Sequence, residues 1–189
     1  MLLMIALILK IAFGLVILVV AGIAIIWALG SRLPREHVVS RAIFFPKTPS
    51  ATAWQMLTNY SAQPKWRSDL QSNTQQPDRD GHEVWRNEMK GGDSLTVEIS
   101  ESDPPRRLVT QIVDTGGPFG GKWVYKIEPA GTGSRLTIVE EGWVKPAMFR
   151  AIGKYFIGYE TTMENFMKDL ARCLHESAAP QQVSPAEPK

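Results

Sequence analysis

Nineteen consecutive residues without a charge, Ile11 to Leu29, constrain this chain more than any other feature of it. Coiled as a helix they extend about 28 Å, close to the roughly 30 Å of hydrocarbon in a bilayer. A second apolar stretch, Met1 to Leu9, precedes them and is separated only by Lys10. The long lysine stem can snorkel to an interface. Trp27 lies near the far end, where an indole favours the headgroup level. The rival reading is a cleaved signal peptide, for which Ala28-Leu29-Gly30 offers small residues at suitable spacing. The apolar region is, however, longer than the about 7–15 residues of a secretory core, and no basic stretch precedes it. The expectation is a single-pass anchor that meets the bilayer through residues 2–29. Arg32, Arg35, Arg41 and Lys47 follow the run, whereas only the amino terminus and Lys10 precede or interrupt it. The positive-inside rule then places the rest of the chain in the cytoplasm.

That remainder fits one domain of a 189-residue protein. The formal charge of +2 is spread along the chain and gives no footprint for nucleic acid. With one cysteine, Cys173, no intrachain disulfide forms, and His37, His82 and His175 lack metal-ligand spacing. No metal or cofactor is expected. The layout is an anchor over 1–30, a linker over 31–36, a folded domain over 37–176 and a disordered tail over 177–189, whose Pro, Gln, Ser and Ala suit disorder.

Within the domain, His37 to Pro46 reads as a strand closed by proline. Thr48-Pro49-Ser50 opens a short helix with Ala53, Trp54 and Leu57 inside, and Tyr60 to Trp66 adds a second helical turn. The period then changes to two. Glu83 to Met89, Ser94 to Ser100, Arg107 to Val113, Lys122 to Glu128 and Arg135 to Glu141 read as strands separated by Gly, Pro and Asp turns. A helix from Pro146 to Glu176 closes the chain, with Phe149, Ile152, Phe156, Tyr159, Met163, Phe166, Leu170 and Leu174 as one apolar stripe. Gly153 and Gly158 fall inside it and permit a bend.

This layout disposes of two apparent motifs. Gly116 to Lys122 imitates a phosphate loop, but such a loop needs a helix directly after its lysine, and an alternating strand follows instead. Trp123 stands where a magnesium-binding Ser or Thr belongs, so no nucleotide is expected. Asp114-Thr115-Gly116 imitates an aspartic-protease signature, yet that chemistry needs two carboxylates in a different fold.

One strand, two short helices, an antiparallel run and a closing helix make an α+β helix-grip, a curved sheet wrapped around the last helix. At "FFPKTPSATAWQML", "PKWRSDL", "FGGKWVYKIEPAGTGSRLTIVEEGWV" and "PAMFRAIGKYF" the chain resembles the START/pollen-allergen superfamily, SRPBCC, in its polyketide cyclase/dehydrase-like branch. The resemblance covers about Arg35 to Glu176. It implies a cavity between sheet and helix and, since the superfamily shares no catalytic set, transfers no catalytic residue.

The candidate site comes from the faces of the last hairpin. Trp123, Tyr125 and Ile127 share one side of their strand, and Leu136, Ile138 and Glu140 share one side of the partner. Lys122, Lys126, Glu128, Arg135 and Glu141 face water. A carboxylate at Glu140 on the inner side is costly unless paired or protonated. It is either a ligand anchor or general acid/base, or else a rim glutamate neutralised by a neighbouring arginine or tyrosine. Trp66 and Arg67 either orient a ligand carboxylate or pack the short helices on the sheet. Of Trp85 and Arg86 only one can face inward, and periodicity does not choose. Phe156 and Tyr159 join the site from the closing helix.

Three functions remain open. The leading one is membrane-anchored binding of an apolar or amphipathic, lipid-like small molecule. The second is a cyclase, dehydrase or hydrolase using Glu140. The third is a protein-interaction module whose cavity its own side chains fill.

Overall fold

The structure, a computed structural model, describes residues 2–114 and 116–184. They form two units that the chain visits alternately, residues 1–35 with 144–158 and residues 36–143 with 159–189.

The first unit is built on α1, Leu2–Ser31, one helix that runs through Lys10 without a break. Among the described residues it is the one helix long and apolar enough to cross a membrane. Its last turn meets α3, Ala147–Ile152. A Cβ on Gly30 would lie 1.8 Å from the carbonyl oxygen of Ala147, so a residue without a side chain is needed where the two backbones approach. Arg150, buried, donates from Nε to the Gly30 carbonyl at 3.0 Å and from Nη1 to that of Val144 at 3.3 Å. A helix leaves its last carbonyls without intrahelical donors and carries negative potential at that end, so a guanidinium there answers both.

The closing helix is not continuous. After α3 comes a π-helical turn, Gly153–Ile157, and the chain turns at Gly158 (φ 86°) before α4, Thr161–Cys173. The apolar stripe accordingly divides: Phe149 and Phe156 are exposed in the first unit, while Met163, Phe166 and Leu170 are buried in the second. Periodicity recorded a helix face but not what that face packs against.

The second unit is an eight-stranded antiparallel sheet in the order β2-β3-β4-β5-β6-β7-β1-β8. The strands are β1 Glu36–Phe45, β2 Leu70–Arg79, β3 His82–Met89, β4 Ser94–Asp103, β5 Arg107–Ile112, β6 Phe119–Ala130, β7 Gly133–Val144 and β8 Gln181–Gln182. Between β1 and β2 lie α2, Ser50–Thr58, and a 3-10 turn, Tyr60–Lys65. Lys122 sits within β6, so the glycine-rich stretch feeds a strand. Asp114 accepts from the Thr96 amide at 2.6 Å, a structural role, while Thr115 of the same motif lies outside the described residues.

Two expectations need correction. The sheet has a further strand, β2, that the pattern of residues does not signal, because it is a polar edge strand whose Pro77 falls in a register shift between Gln76 and Arg79. Edge strands tolerate proline and need no apolar alternation. The tail over 177–189 is not wholly disordered, since Gln181 and Gln182 pair with Ala42 and Arg41 along the free side of β1; residues 185–189 lie outside the described set. Thr48-Pro49-Ser50 opens α2 as expected, with Pro49 at the cap position, and the Thr48 hydroxyl donates to Glu176 at 2.8 Å.

Phe45, Ile43, Leu57, Leu108, Tyr125, Ile127, Leu136, Ile138, Met163, Phe166, Met167 and Leu170 form one core between the sheet and its helices. At one end of it Arg41, buried on the inner face of β1, bonds Glu164 from Nε at 2.7 Å and Glu160 from Nη2 at 2.9 Å. The hydrogen bond from Arg41 holds the Glu164 carboxyl below its ordinary range. A carboxyl lowered in the fold contributes stability that is fully present above the ordinary carboxylate range and is lost as pH falls through its lowered value. Glu164→Gln is therefore expected to remove part of the acid limb from a plot of unfolding free energy against pH. An unchanged acid limb would mean that the Arg41 pair contributes nothing to folding.

Candidate functional site

The site grows out of Phe166, on the sheet-facing side of α4. The Trp66 ring meets its edge at 5.5 Å between centroids, the Trp123 ring at 5.8 Å, and Tyr125 at 6.1 Å. Interplanar angles of 60–79° put ring edges toward ring faces, the arrangement favoured by aromatic quadrupoles. The Arg67 guanidinium lies over the same ring, 5.3 Å from its centroid. Four residues singled out from the sequence thus converge on a fifth that periodicity assigned only to the stripe.

Arg67 is already committed. Its Nε and Nη2 grip both oxygens of Asp69 at 3.1 and 2.7 Å, and Nη1 donates to Gln63 at 3.1 Å. It serves to fix the Phe166 ring and has little fork left for a ligand carboxylate. Trp66 packs against the core while its buried Nε1–H has no protein partner among the described residues. The open choice on β3 is settled by burial: Trp85 is inside, stacked on Tyr60 at 5.3 Å, and Arg86 is outside.

Leu136 and Ile138 are fully buried in the core, and Lys122 pairs with Glu141 on the opposite face, so the alternation read on the last hairpin holds. Burial pushes the Tyr125 phenol up to about 12, against a hydrogen bond with Thr110 that works the other way. A phenol pushed up in this way is unsuited to act as a base.

Glu140 has both oxygens occupied. Oε2 accepts from the Trp123 indole at 2.7 Å and Oε1 lies 3.0 Å from His37 Nε2. With side-chain exposures of 13% for His37 and 18% for Glu140, the pair is largely shielded from water. Its polar partners are therefore a histidine and an indole, neither the arginine nor the tyrosine expected of a rim glutamate. The His37 ring stacks on Tyr159, 4.0 Å between centroids and 12° from parallel.

Sequence reasoning missed His37 because the contact depends on register. β1 runs antiparallel to β7 with Val39 opposite Glu140 and His37 opposite Gly142. The imidazole lies across Gly142, where a Cβ would come within 2.7 Å of its Cε1 and Nε2. The glycine opens the lane through which the ring reaches Glu140. If Nε2 donates to the carboxylate, Nδ1 is left as an acceptor. Nδ1 is buried and has no protein partner among the described residues.

Phe156 does not share a unit with this cluster. It belongs to the first unit and is 73% exposed. Tyr159 belongs to the second unit, but to its polar end beside His37 and not to the Phe166 ring cluster.

A family model described as polyketide cyclase / dehydrase and lipid transport matches residues 36–173. Among solved structures, the Zhui aromatase/cyclase from Streptomyces sp. R1128 superposes with TM-score 0.61 at 10% identity, covering 74% of this chain and 94% of that one. A START superfamily protein from Mycobacterium smegmatis gives 0.56 at 16% identity, covering 74% and 97%. The di-domain StfQ of the steffimycin biosynthetic pathway gives 0.57 at 11%, covering 70% of this chain and only 50% of that one, so this chain spans half of the di-domain protein. At such identities the likeness is one of fold. No curated protein matches the sequence.

Proposed function

Because the chain belongs to the polyketide cyclase / dehydrase and lipid transport family, we propose that it binds an apolar or amphipathic, lipid-like molecule between sheet and α4 while α1 tethers it to a bilayer. The observation that carries this reading is His37 Nδ1, a buried polar atom without a partner among the described residues, at the edge of an aromatic wall. Buried polar atoms are nearly always bonded, and one left over beside an apolar surface is suited to orient a ligand's hydroxyl. Trp66 Nε1–H, similarly unpartnered, would take a carbonyl or ether oxygen.

Tethering raises the effective concentration of the site for molecules that partition into lipid. Arg32 and Arg35 beyond the apolar run favour a cytoplasmic location for the folded domain. A second reading, acid–base catalysis, rests on the same pair: Glu140 would hold the imidazole and His37 would move the proton.

The test is native mass spectrometry on full-length protein extracted from its own membranes. A co-purified apolar compound is expected, and Ile138→Trp should expel it at a folding cost of about 1–3 kcal/mol from overpacking. Protease treatment of sealed, oriented vesicles from the same membranes reads the side. Protein that carries no compound, with or without Ile138→Trp, would replace this reading by a filled-core interaction module.

A further inference from the structure

The first unit carries a second surface, and we propose that its segment Ala147–Ile157 is a cationic, aromatic platform that lies in the headgroup region of an anionic phospholipid bilayer. This rests on the reading of α1 as a membrane anchor.

Charge is the first ground. The unit's two stretches, 1–35 and 144–158, contain Lys10, Arg32, Arg35, Lys145, Arg150 and Lys154 and not one Asp or Glu. Its formal charge is thus +6, which leaves −4 for the rest of a chain whose total is +2. All nineteen acidic residues lie in the other unit. Basic residues clustered just beyond an apolar span are attracted to anionic lipid headgroups.

Exposure is the second. Tyr155, Phe156 and Ile157 are three consecutive large side chains, all more than half exposed, with Phe149 nearly so. On a regular helix three successive positions sweep about 200° of the surface, so at least one normally turns inward. Here the π turn, closed by the Gly158 amide on the Gly153 carbonyl at 2.8 Å, leaves all three outward. Such a run is a liability in water unless something apolar covers it.

Position is the third, and it selects the occupant. Arg150 and Gly30 hold α3 against the last turn of α1. Gly30 lies three residues, about 4.5 Å along the helix, beyond Trp27. Trp27 is itself exposed and marks the level where an anchor's aromatic side chains meet headgroups. The exposed rings of 149–157 are therefore fixed at the end of the hydrocarbon span, with the exposed Lys154, Arg32 and Arg35 beside them. An interfacial helix has this make-up, rings toward the acyl boundary and cations among phosphates.

The experiment uses full-length protein, Cys173→Ser, with Phe149→Cys or Phe156→Cys carrying an environment-sensitive NBD fluorophore. It is reconstituted into vesicles of phosphatidylcholine, with and without a quarter of phosphatidylglycerol. Alkaline carbonate extraction of the same vesicles reports on α1 independently. The expected result is retention after carbonate, blue-shifted NBD emission, and quenching by a spin label placed high on the acyl chain. Quenching should increase with phosphatidylglycerol, and Arg32→Ser/Arg35→Ser/Lys154→Ser should abolish that increase. Retained protein with a water-like, unquenched label overturns the platform and leaves the anchor standing. A blue-shifted label that lipid quenchers do not reach, but that transfers energy to labelled copies, overturns it in favour of self-association. Protein released by carbonate overturns the anchor; the platform then survives only if the label is still quenched on vesicles before extraction, and otherwise both fall.

Discussion

Phe166→Ala is expected to lower the unfolding free energy of the sheet–helix unit by about 3–5 kcal/mol. The ring is almost wholly buried and is touched by Trp66, Trp123 and Tyr125 along its edges and by Arg67 over its face. Those four cannot collapse into the space it leaves. Trp123 is tied to Glu140, Tyr125 is set in β6, and Arg67 is forked onto Asp69. When a site cannot relax, the cavity penalty adds to the lost transfer energy. Guanidinium unfolding of the full chain in mild detergent, followed by tryptophan emission, measures the loss. A change below about 1 kcal/mol, ordinary for a surface position, would show that the rings are not packed as described.

Glu140→Gln should separate binding from catalysis by orders of magnitude. The carboxylate accepts from Trp123 and faces His37 Nε2 with its other oxygen. Glutamine keeps one acceptor and presents an amide donor, so it can serve Trp123 only by offering N–H to His37. The imidazole must then carry its proton on Nδ1, and the acceptor offered to a ligand becomes a donor. For a binding protein this exchanges one hydrogen bond of about 1 kcal/mol, a weakening of less than about tenfold for a hydroxyl ligand. For an enzyme that uses His37 as its base, turnover should drop about 10²–10⁴-fold with binding little changed. The binding reading predicts the smaller effect in titrations with the co-purified compound. A turnover loss of the larger size would establish the catalytic reading in its place.

What the sequence disclosed divides along the range of the interactions involved. Alternation on the last hairpin is local, and it placed Tyr125, Leu136, Ile138 and Glu140 on the inner face correctly. The His37–Glu140 contact spans 103 positions and exists only because β1 pairs with β7 in one register beside a glycine. No single-strand pattern carries that information. β2 escaped notice because an edge strand with one deeply buried residue, Leu70, has no apolar period to read. The turn Asp80-Gly81, which joins it to β3, was the available sign, since Asp-Gly is a strong hairpin signal. The closing helix conceals its break for the opposite reason. Its stripe is periodic throughout, but the two halves serve different surroundings, and the change falls at Gly158.

The docking of α3 on α1 sets a sequence of events in time. When α1 leaves the ribosome, the residues that will cap it have not been made, for Ala147 and Arg150 follow the whole run from β1 to β7. The end of α1 stays uncapped until the sheet has been synthesised. The two ends of this relation are also inseparable in practice. A chain cut before Glu36, the obvious way to obtain a soluble protein, does not shed an appendage. It leaves the Arg150 guanidinium without the Gly30 carbonyl and α3 without the surface it rests on. Such a cut leaves Phe149, Tyr155, Phe156 and Ile157 exposed on a segment that has lost its support, so the full-length chain is the proper reference for any truncated one.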